Sequence, residues 1–351
     1  MKILSIIGAR PQFIKCAPLS RKLRQNHEEI LLHTGQHYDS NMSDVFFREL
    51  DIPEPDYNLG IGSGLHGEQT GRMLFEIEKL LIKEQPDFVL VYGDTNSTLA
   101  GALAASKLNI KVAHVEAGLR SFDRTMPEEV NRIITDHLSN LLFCPTDAAV
   151  INLKKEGITS GVYNTGDVMV DALNYNLNIS KEKSSILTDL KLEKKQYLVA
   201  TLHRPANTNN CKNLSSIVDA LCNSRWPIVF PMHPRTKKYL KEYGLWNKLC
   251  ENVKVISPVG YLDMLSLMAN SKKILTDSGG VQKEAYMLDV PCITMRENTE
   301  WVETVEDGWN VLVGADYEAI TDAIDGFEGI GIKGSVFGCG NACRKICDVL
   351  E

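Results

Sequence analysis

Phe88-Val89-Leu90-Val91-Tyr92-Gly93-Asp94-Thr95-Asn96-Ser97 runs from five apolar residues straight into a glycine, a carboxylate and three small polar residues. An unbroken apolar run of that length reads as a strand buried on both faces, and such strands belong to parallel sheets covered by helices. A helical pattern at 96–108 follows, completing a strand–turn–helix step. The step recurs along the chain. In the first half strands are expected at 2–7, 29–33, 87–92, 111–115, 141–144 and 162–164, with helices at 11–25, 41–50, 67–84, 96–108, 127–139 and 147–156. In the second half strands are expected at 197–202, 227–231, 253–256, 273–276, 291–295 and 310–313, again separated by helices. This alternation predicts an α/β protein of two Rossmann-like, doubly wound parallel-sheet domains, each binding ligand at the carboxyl ends of its strands. A helix at 168–178 leads into the Lys-rich stretch 181–195 and marks the junction. The expected domains are 1–170 and 171–335, with a helix in 336–351 packing back on the first.

The 351 residues are enough for two domains, and 44% hydrophobic with 24% charged residues is a soluble globular composition. No apolar run is long enough to span a bilayer. Met1-Lys2-Ile3-Leu4-Ser5-Ile6-Ile7 is cut short by Gly8-Ala9-Arg10-Pro11, so it reads as a buried strand and not a signal segment. Nine scattered cysteines without a C-x-x-C spacing fit reduced residues of a cytoplasmic protein. A net charge of −7 argues against nucleic acid as a partner. Gly62-Ser63-Gly64-Leu65-His66-Gly67 matches G-x-G-x-x-G in form, but no strand precedes it, so it is read as a loop and not as a nicotinamide site.

The strand ends carry the chemistry. After the first strand stands Gly8-Ala9-Arg10-Pro11-Gln12-Phe13-Ile14-Lys15, and after the 87–92 strand stands Gly93-Asp94. The next strand closes on Glu116-Ala117-Gly118-Leu119-Arg120, and the following helix opens with Pro127-Glu128-Glu129-Val130-Asn131-Arg132. Glu128 and Arg132, at i and i+4, share a helix face. Taken singly, Asp94 reads as a helix N-cap and Glu128 as an ordinary first-turn charge. Converging on one sheet edge, these groups point to a site. In the second half, Thr276-Asp277-Ser278-Gly279-Gly280-Val281 reads as a turn with a helix starting at Val281. Such a turn offers backbone N–H groups and a positive dipole end to a phosphate, with Glu284 placed to accept from ribose hydroxyls. There is no Walker lysine, so the turn is expected to hold a diphosphate without splitting a nucleoside triphosphate.

These motifs, with Thr34-Gly35-Gln36-His37, Leu202-His203-Arg204 and His233-Pro234, resemble the non-hydrolysing UDP-N-acetylglucosamine 2-epimerase family nearly end to end. The resemblance implies a glycosyltransferase-B-like fold with the active site in the cleft between the domains. It assigns catalytic carboxylates to Asp94, Glu116 and Glu128 and active-site roles to Lys15 and His203. Contacts to UDP or substrate fall to Arg10, Arg132, His233, Ser278, Gly279, Gly280 and Glu284. Gln36, His37, Arg72 and Arg204 fall where bacterial relatives bind a second, activating UDP-N-acetylglucosamine (UDP-GlcNAc). Two departures stand out: Ala206 occupies a position where relatives often carry Glu, and the segment 121–126 is shorter than in many bacterial relatives.

The implied reaction is reversible C2 epimerisation of UDP-GlcNAc to UDP-N-acetylmannosamine (UDP-ManNAc). Without a nicotinamide motif, the route expected is elimination of UDP to 2-acetamidoglucal, reprotonation at C2 and re-addition of UDP. Two-faced proton transfer needs more than one carboxylate, and the sequence leaves open which is base in which direction. Dispersed histidines and the lack of an acidic cluster predict no metal, so neither metal nor NAD is expected as cofactor. The expected partners are the UDP-sugar and a second copy in a homodimer, with no membrane. Alternatives are a modified substrate such as a UDP-2,3-diacetamido uronic acid, and a UDP-sugar glycosyltransferase on the same fold.

Overall fold

The computed structural model describes residues 1–36, 53–331 and 333–351, so the expected helix at 41–50 lies outside the described residues. Two compact units are present, Met1–Tyr175 with Ser335–Glu351, and Asn176–Gly334.

The first unit holds β1 (Lys2–Ile7), β2 (Glu28–His33), β3 (Tyr57–Asn58), β4 (Phe88–Tyr92), β5 (Lys111–Val115), β6 (Leu141–Cys144) and β7 (Val162–Asn164). They form one sheet in the order β3-β2-β1-β4-β5-β6-β7, with every pair parallel. The apolar runs behave as expected: Ile3, Leu4, Ile6 and Ile7 of β1 and Val89 to Tyr92 of β4 are fully buried. Helix Asn96–Lys107 lies close on this sheet because its inward face is small. A Cβ on Gly101 would stand 2.6 Å from Ile6 Cδ1. Helices His66–Glu84 and Pro127–Leu138 pack on either neighbour face of it. That layer brings the first turns of 96–107 and 127–138 to the same sheet edge as the ends of β4 and β5. The C-terminal helix starts at Ala342, later than the expected 336, because Gly338 (φ 84°) and Gly340 (φ 82°) turn the chain before it. Asp171 accepts from the Ala342 and Cys343 N–H groups, and Asn26 donates to Glu351 at 2.9 Å.

The second unit holds β8 (Leu198–Thr201), β9 (Ile228–Pro231), β10 (Lys254–Ile256), β11 (Lys273–Thr276), β12 (Cys292–Thr294) and β13 (Asn310–Leu312). The order is β10-β9-β8-β11-β12-β13, again parallel throughout. Its core joins Leu198, Ala200, Phe230, Leu275 and Ile293 of the strands to Leu214, Ile217 and Leu221 of helix Cys211–Cys222. Helix Val168–Lys183 extends five residues beyond the expected 178, and the division between the units falls inside it. No helix among the described residues is long and apolar enough to cross a membrane.

Candidate active site

In the first unit the ends of β4 and β5 turn sharply. Gly93 has φ 62°, and Glu116 has φ 72°, a left-handed conformation that costs a non-glycine residue about 1–2 kcal/mol. The Glu116 and Ala117 N–H groups both donate to Phe143 O at 3.1 Å, and the Gly93 N–H donates to Val115 O at 2.9 Å. Held this way, the buried Glu116 carboxylate forms an ion pair with Lys15, which comes from the second turn of helix Arg10–Asn26. The pair lies over Gly93. A Cβ there would meet Glu116 Oε2 and Lys15 Nζ, each at 3.2 Å.

One residue on, Asp94 is not the helix cap. Thr95 is, its hydroxyl accepting from the Thr98 N–H at 3.4 Å. The Asp94 carboxylate instead accepts from Arg132 Nη2 at 2.5 Å, and Asn131 Nδ2 donates to Asp94 O at 2.9 Å. Arg132 also donates to Glu129 at 2.9 Å, so the shared face of Glu128 and Arg132 does not become a pair. Burial alone would raise the Glu129 carboxyl, but bonds from the Ser121 N–H, Arg132, the Ser121 hydroxyl and the Phe122 N–H outweigh it and hold it below the usual range. Glu128, half-buried, has no partner among the described residues. The sheet edge therefore presents three carboxylates in three settings: Glu116 on Lys15, Asp94 on Arg132, and Glu128 uncommitted.

Arg10 opens the helix at the end of β1, but its side chain is not among those described, and neither is His37. Gln36 accepts from the Ser97 N–H at 3.1 Å and the Ser97 hydroxyl at 2.7 Å, which ties it to the start of helix 96–107. Arg72 is exposed and lies 3.9 Å from Glu68.

In the second unit the ends of β8, β9 and β11 are brought together. Helix Gly279–Met287 begins two residues earlier than expected, so both glycines form its first turn and Ser278 is the N-cap. The glycine is required sterically: a Cβ on Gly279 would collide with the Glu300 carboxylate and stand 3.3 Å from Trp301 Nε1. Glu300 lies 2.9 Å from Arg296 and 3.8 Å from Arg204. Glu284 is buried on the same helix. Asp277, fully buried, accepts from the His203 N–H (3.0 Å), the Arg204 N–H (2.9 Å) and Asn207 Nδ2 (3.2 Å). The His203 ring lies 5.3 Å from the His233 ring. His233 Nδ1 accepts from the Arg235 N–H at 3.1 Å, which leaves Nε2 carrying the hydrogen. Among the described residues no three His, Cys, Asp or Glu side chains cluster so as to hold a metal ion.

The sequence pattern of UDP-N-acetylglucosamine 2-epimerases matches residues 21–351 of this chain. The chain belongs to the UDP-N-acetylglucosamine 2-epimerase family. A Methanococcus maripaludis UDP-N-acetylglucosamine 2-epimerase homolog is 60% identical over 355 residues, covering 100% of this chain and 99% of its own. A Pseudomonas aeruginosa UDP-2,3-diacetamido-2,3-dideoxy-D-glucuronate 2-epimerase is 51% identical over 360 residues, covering 100% and 99%. The crystal structure of the Methanocaldococcus jannaschii UDP-GlcNAc 2-epimerase in complex with UDP-GlcNAc and UDP superposes with a TM-score of 0.93 at 49% identity, covering 100% and 99%. As a member of this epimerase family the chain is an isomerase-class protein with the glycosyltransferase-B-like fold, two Rossmann-like α/β units.

Three buried residues receive no role from the motifs although they bond to the strand-end turns: His114, Asp136 and, within a quoted motif, Asp277. His114 interrupts the apolar run Val112-Ala113-His114-Val115, and a fully buried polar residue inside such a strand is the signal that would single it out.

Proposed function

We propose that this protein interconverts UDP-GlcNAc and UDP-ManNAc by eliminating and re-adding UDP. The observation that carries the proposal is the Glu116–Lys15 pair lying over Gly93, one residue from Asp94, in a chain that matches this family over nearly its whole length.

The C2 proton of the sugar has no neighbouring carbonyl, so it becomes acidic only as the C1–O bond to the diphosphate breaks. The bonding pair leaves with the β-phosphate oxygen of UDP, a carboxylate of the first unit takes the C2 proton, and C1=C2 forms. A second carboxylic acid returns a proton to C2 from the opposite face, and the UDP oxygen adds back to C1. Asp94, Glu116 and Glu128 supply these acids and bases, in the three different electrostatic settings that two-faced chemistry requires. Lys15 beside Glu116 balances its charge while the proton moves. The glycine turn at Ser278–Gly280, with Arg10, His203 and His233, holds the leaving diphosphate, and Glu284 takes the ribose hydroxyls. No metal or nicotinamide is assigned a role.

Incubation with UDP-GlcNAc alone tests this. UDP-ManNAc with its nucleotide retained supports the epimerase. Release of free N-acetylmannosamine would make the enzyme a hydrolysing one, and no turnover without an added acceptor would favour a glycosyltransferase. The 51% identity to a diacetamido-glucuronate epimerase favours a second substrate of that kind. Comparing kcat/KM for the two nucleotide sugars decides between them, and we propose that UDP-GlcNAc is preferred.

We extend the proposal to an activating UDP-GlcNAc held by Gln36, His37, Arg72 and Arg204. A reaction started from UDP-ManNAc alone then lags until UDP-GlcNAc accumulates, whereas an immediate linear rate would refute it. Phe75 and Ile82 on one helix, with Val130 and Ile134 on another, expose apolar side chains in keeping with a homodimer, which sedimentation would test.

A further inference from the structure

The two turns that present Asp94 and Glu116 are joined underneath by a fully buried histidine–aspartate pair. His114, on β5, stands with Nδ1 2.7 Å from Asp136 Oδ1 and Nε2 2.8 Å from the carbonyl oxygen of Gly93. A carbonyl oxygen only accepts, so Nε2 donates to it. Asp136 already accepts at Oδ2 from the Gly118 N–H (3.1 Å) and Arg120 Nη1 (2.7 Å), so Nδ1 donates to Oδ1. Asp136 is thus held as a carboxylate. Burial pushes its carboxyl up, but the hydrogen bond and charge of His114 and the charge and bond of Arg120 bring it below the usual range. Arg120 in turn is gripped by Glu156 through two bonds, at 2.7 and 2.8 Å.

We propose that His114 and Asp136 are positioning residues that fix the relative placement of the Asp94 and Glu116 carboxylates. Each catalytic turn has one free end to control. For the β4 turn it is the Gly93 carbonyl, which precedes Asp94 and is fixed by His114. For the β5 turn it is the Gly118 N–H, two residues past Glu116, fixed by Asp136. The two anchors are the two ends of one ion pair, so the turns cannot shift independently. This accounts for how Glu116 is kept in its left-handed conformation, which surrounding structure must over-determine if it is to persist. It also accounts for three fully or nearly buried charged groups, His114, Asp136 and Arg120, gathered beneath a sheet edge, where burying charge for stability alone has little advantage over an apolar core. His114 and Asp136 are 22 residues apart in sequence, and both are buried beneath the turns they hold.

The inference rests on the epimerase reading, and its test separates the two. In His114→Gln, folded by circular dichroism, kcat with UDP-GlcNAc is expected to fall about 10–100-fold, as for sub-ångström misplacement of a reacting group. KM and the calorimetric affinity for UDP should stay within about twofold, a split that specific loss of alignment produces. The isotope effect with C2-deuterated substrate should rise, because proton transfer becomes slower relative to binding and release. A folded variant with wild-type kcat, or one in which kcat and UDP affinity collapse together, would overturn the proposal. Should His114→Gln not fold, Glu156→Gln at the half-exposed outer end of the network takes its place, with kcat expected to fall about 2–5-fold at constant KM and unchanged kcat counting against the brace. If the wild-type protein itself shows no turnover, the epimerase reading has failed. The brace is then judged by NMR of the wild-type protein labelled with 15N-histidine. Two slowly exchanging ring N–H protons on a single histidine are expected, and no histidine with both would overturn it.

Discussion

Gly93→Ala puts the placement of the Glu116–Lys15 pair to a quantitative test. At φ 62° an alanine bears the left-handed penalty of about 1–2 kcal/mol. Its Cβ would also stand 3.2 Å from both Glu116 Oε2 and Lys15 Nζ, so the ion pair must give by a few tenths of an ångström. Gly157→Ala is the matched control: it lies in the same unit at φ 82°, with nothing within 4 Å of the added Cβ. Both variants should lose about 1–2 kcal/mol in urea unfolding, because the backbone cost is common to them. Only Gly93→Ala moves the proposed catalytic groups. A displacement of about 1 Å can cost about 10²-fold, so a few tenths should lower kcat about 5–20-fold while UDP affinity by calorimetry is kept. If Gly93→Ala and Gly157→Ala lose the same stability and both turn over like the wild type, the pair above Gly93 is not at the reacting centre.

Three further outcomes follow from the same structure. Asp94→Asn, Glu116→Gln and Glu128→Gln should each lower kcat by about 10²–10⁴ with UDP binding intact, and near-normal turnover in two of them would reduce the carboxylates to structural charges. Gly279→Ala, whose Cβ would run into the Glu300 carboxylate, should weaken UDP about tenfold in calorimetry, near 1.4 kcal/mol; unchanged affinity would move the nucleotide away from this turn. Glu84 contributes to the acid limb of stability: Lys2 and Tyr57, which donate to it, and the nearby Lys83 hold its carboxyl down from 4.5 to about 2. A depressed carboxyl stabilises the fold above its ordinary value and loses that contribution as pH falls through its folded value. Glu84→Gln should therefore flatten the dependence of the urea midpoint on pH between about 4.5 and about 2, and a slope identical to wild type would contradict the assignment.

The strands that were legible in the sequence are those whose apolar runs are buried on both faces, such as Phe88–Tyr92 and Lys273–Thr276. β3 was not, because Tyr57–Asn58 is two residues long and follows Pro53 and Pro55, leaving no period to read. Gly279 and Gly280 read as a turn because glycine disfavours helix, yet both are helical, and at Gly279 a side chain would strike Glu300. The Lys-rich tail of helix Val168–Lys183 resembled a linker by composition alone. The carboxylates at the strand ends stood out in the sequence because they follow apolar runs at once. Their environments did not: the partner of Asp94 is 38 residues away, and that of Glu116 is 101. His114, Asp136 and Asp277 act through contacts 16 to 74 residues apart, which no local spacing announces.

The central claim is that C2–H is broken and remade by protein acids while UDP departs and returns. Proton NMR of UDP-GlcNAc with the purified protein in D₂O measures this directly. The account predicts loss of the C2 proton signal from both epimers as UDP-ManNAc accumulates, with the nucleotide still attached at equilibrium. Epimerisation that kept the original C2 proton in full would contradict it.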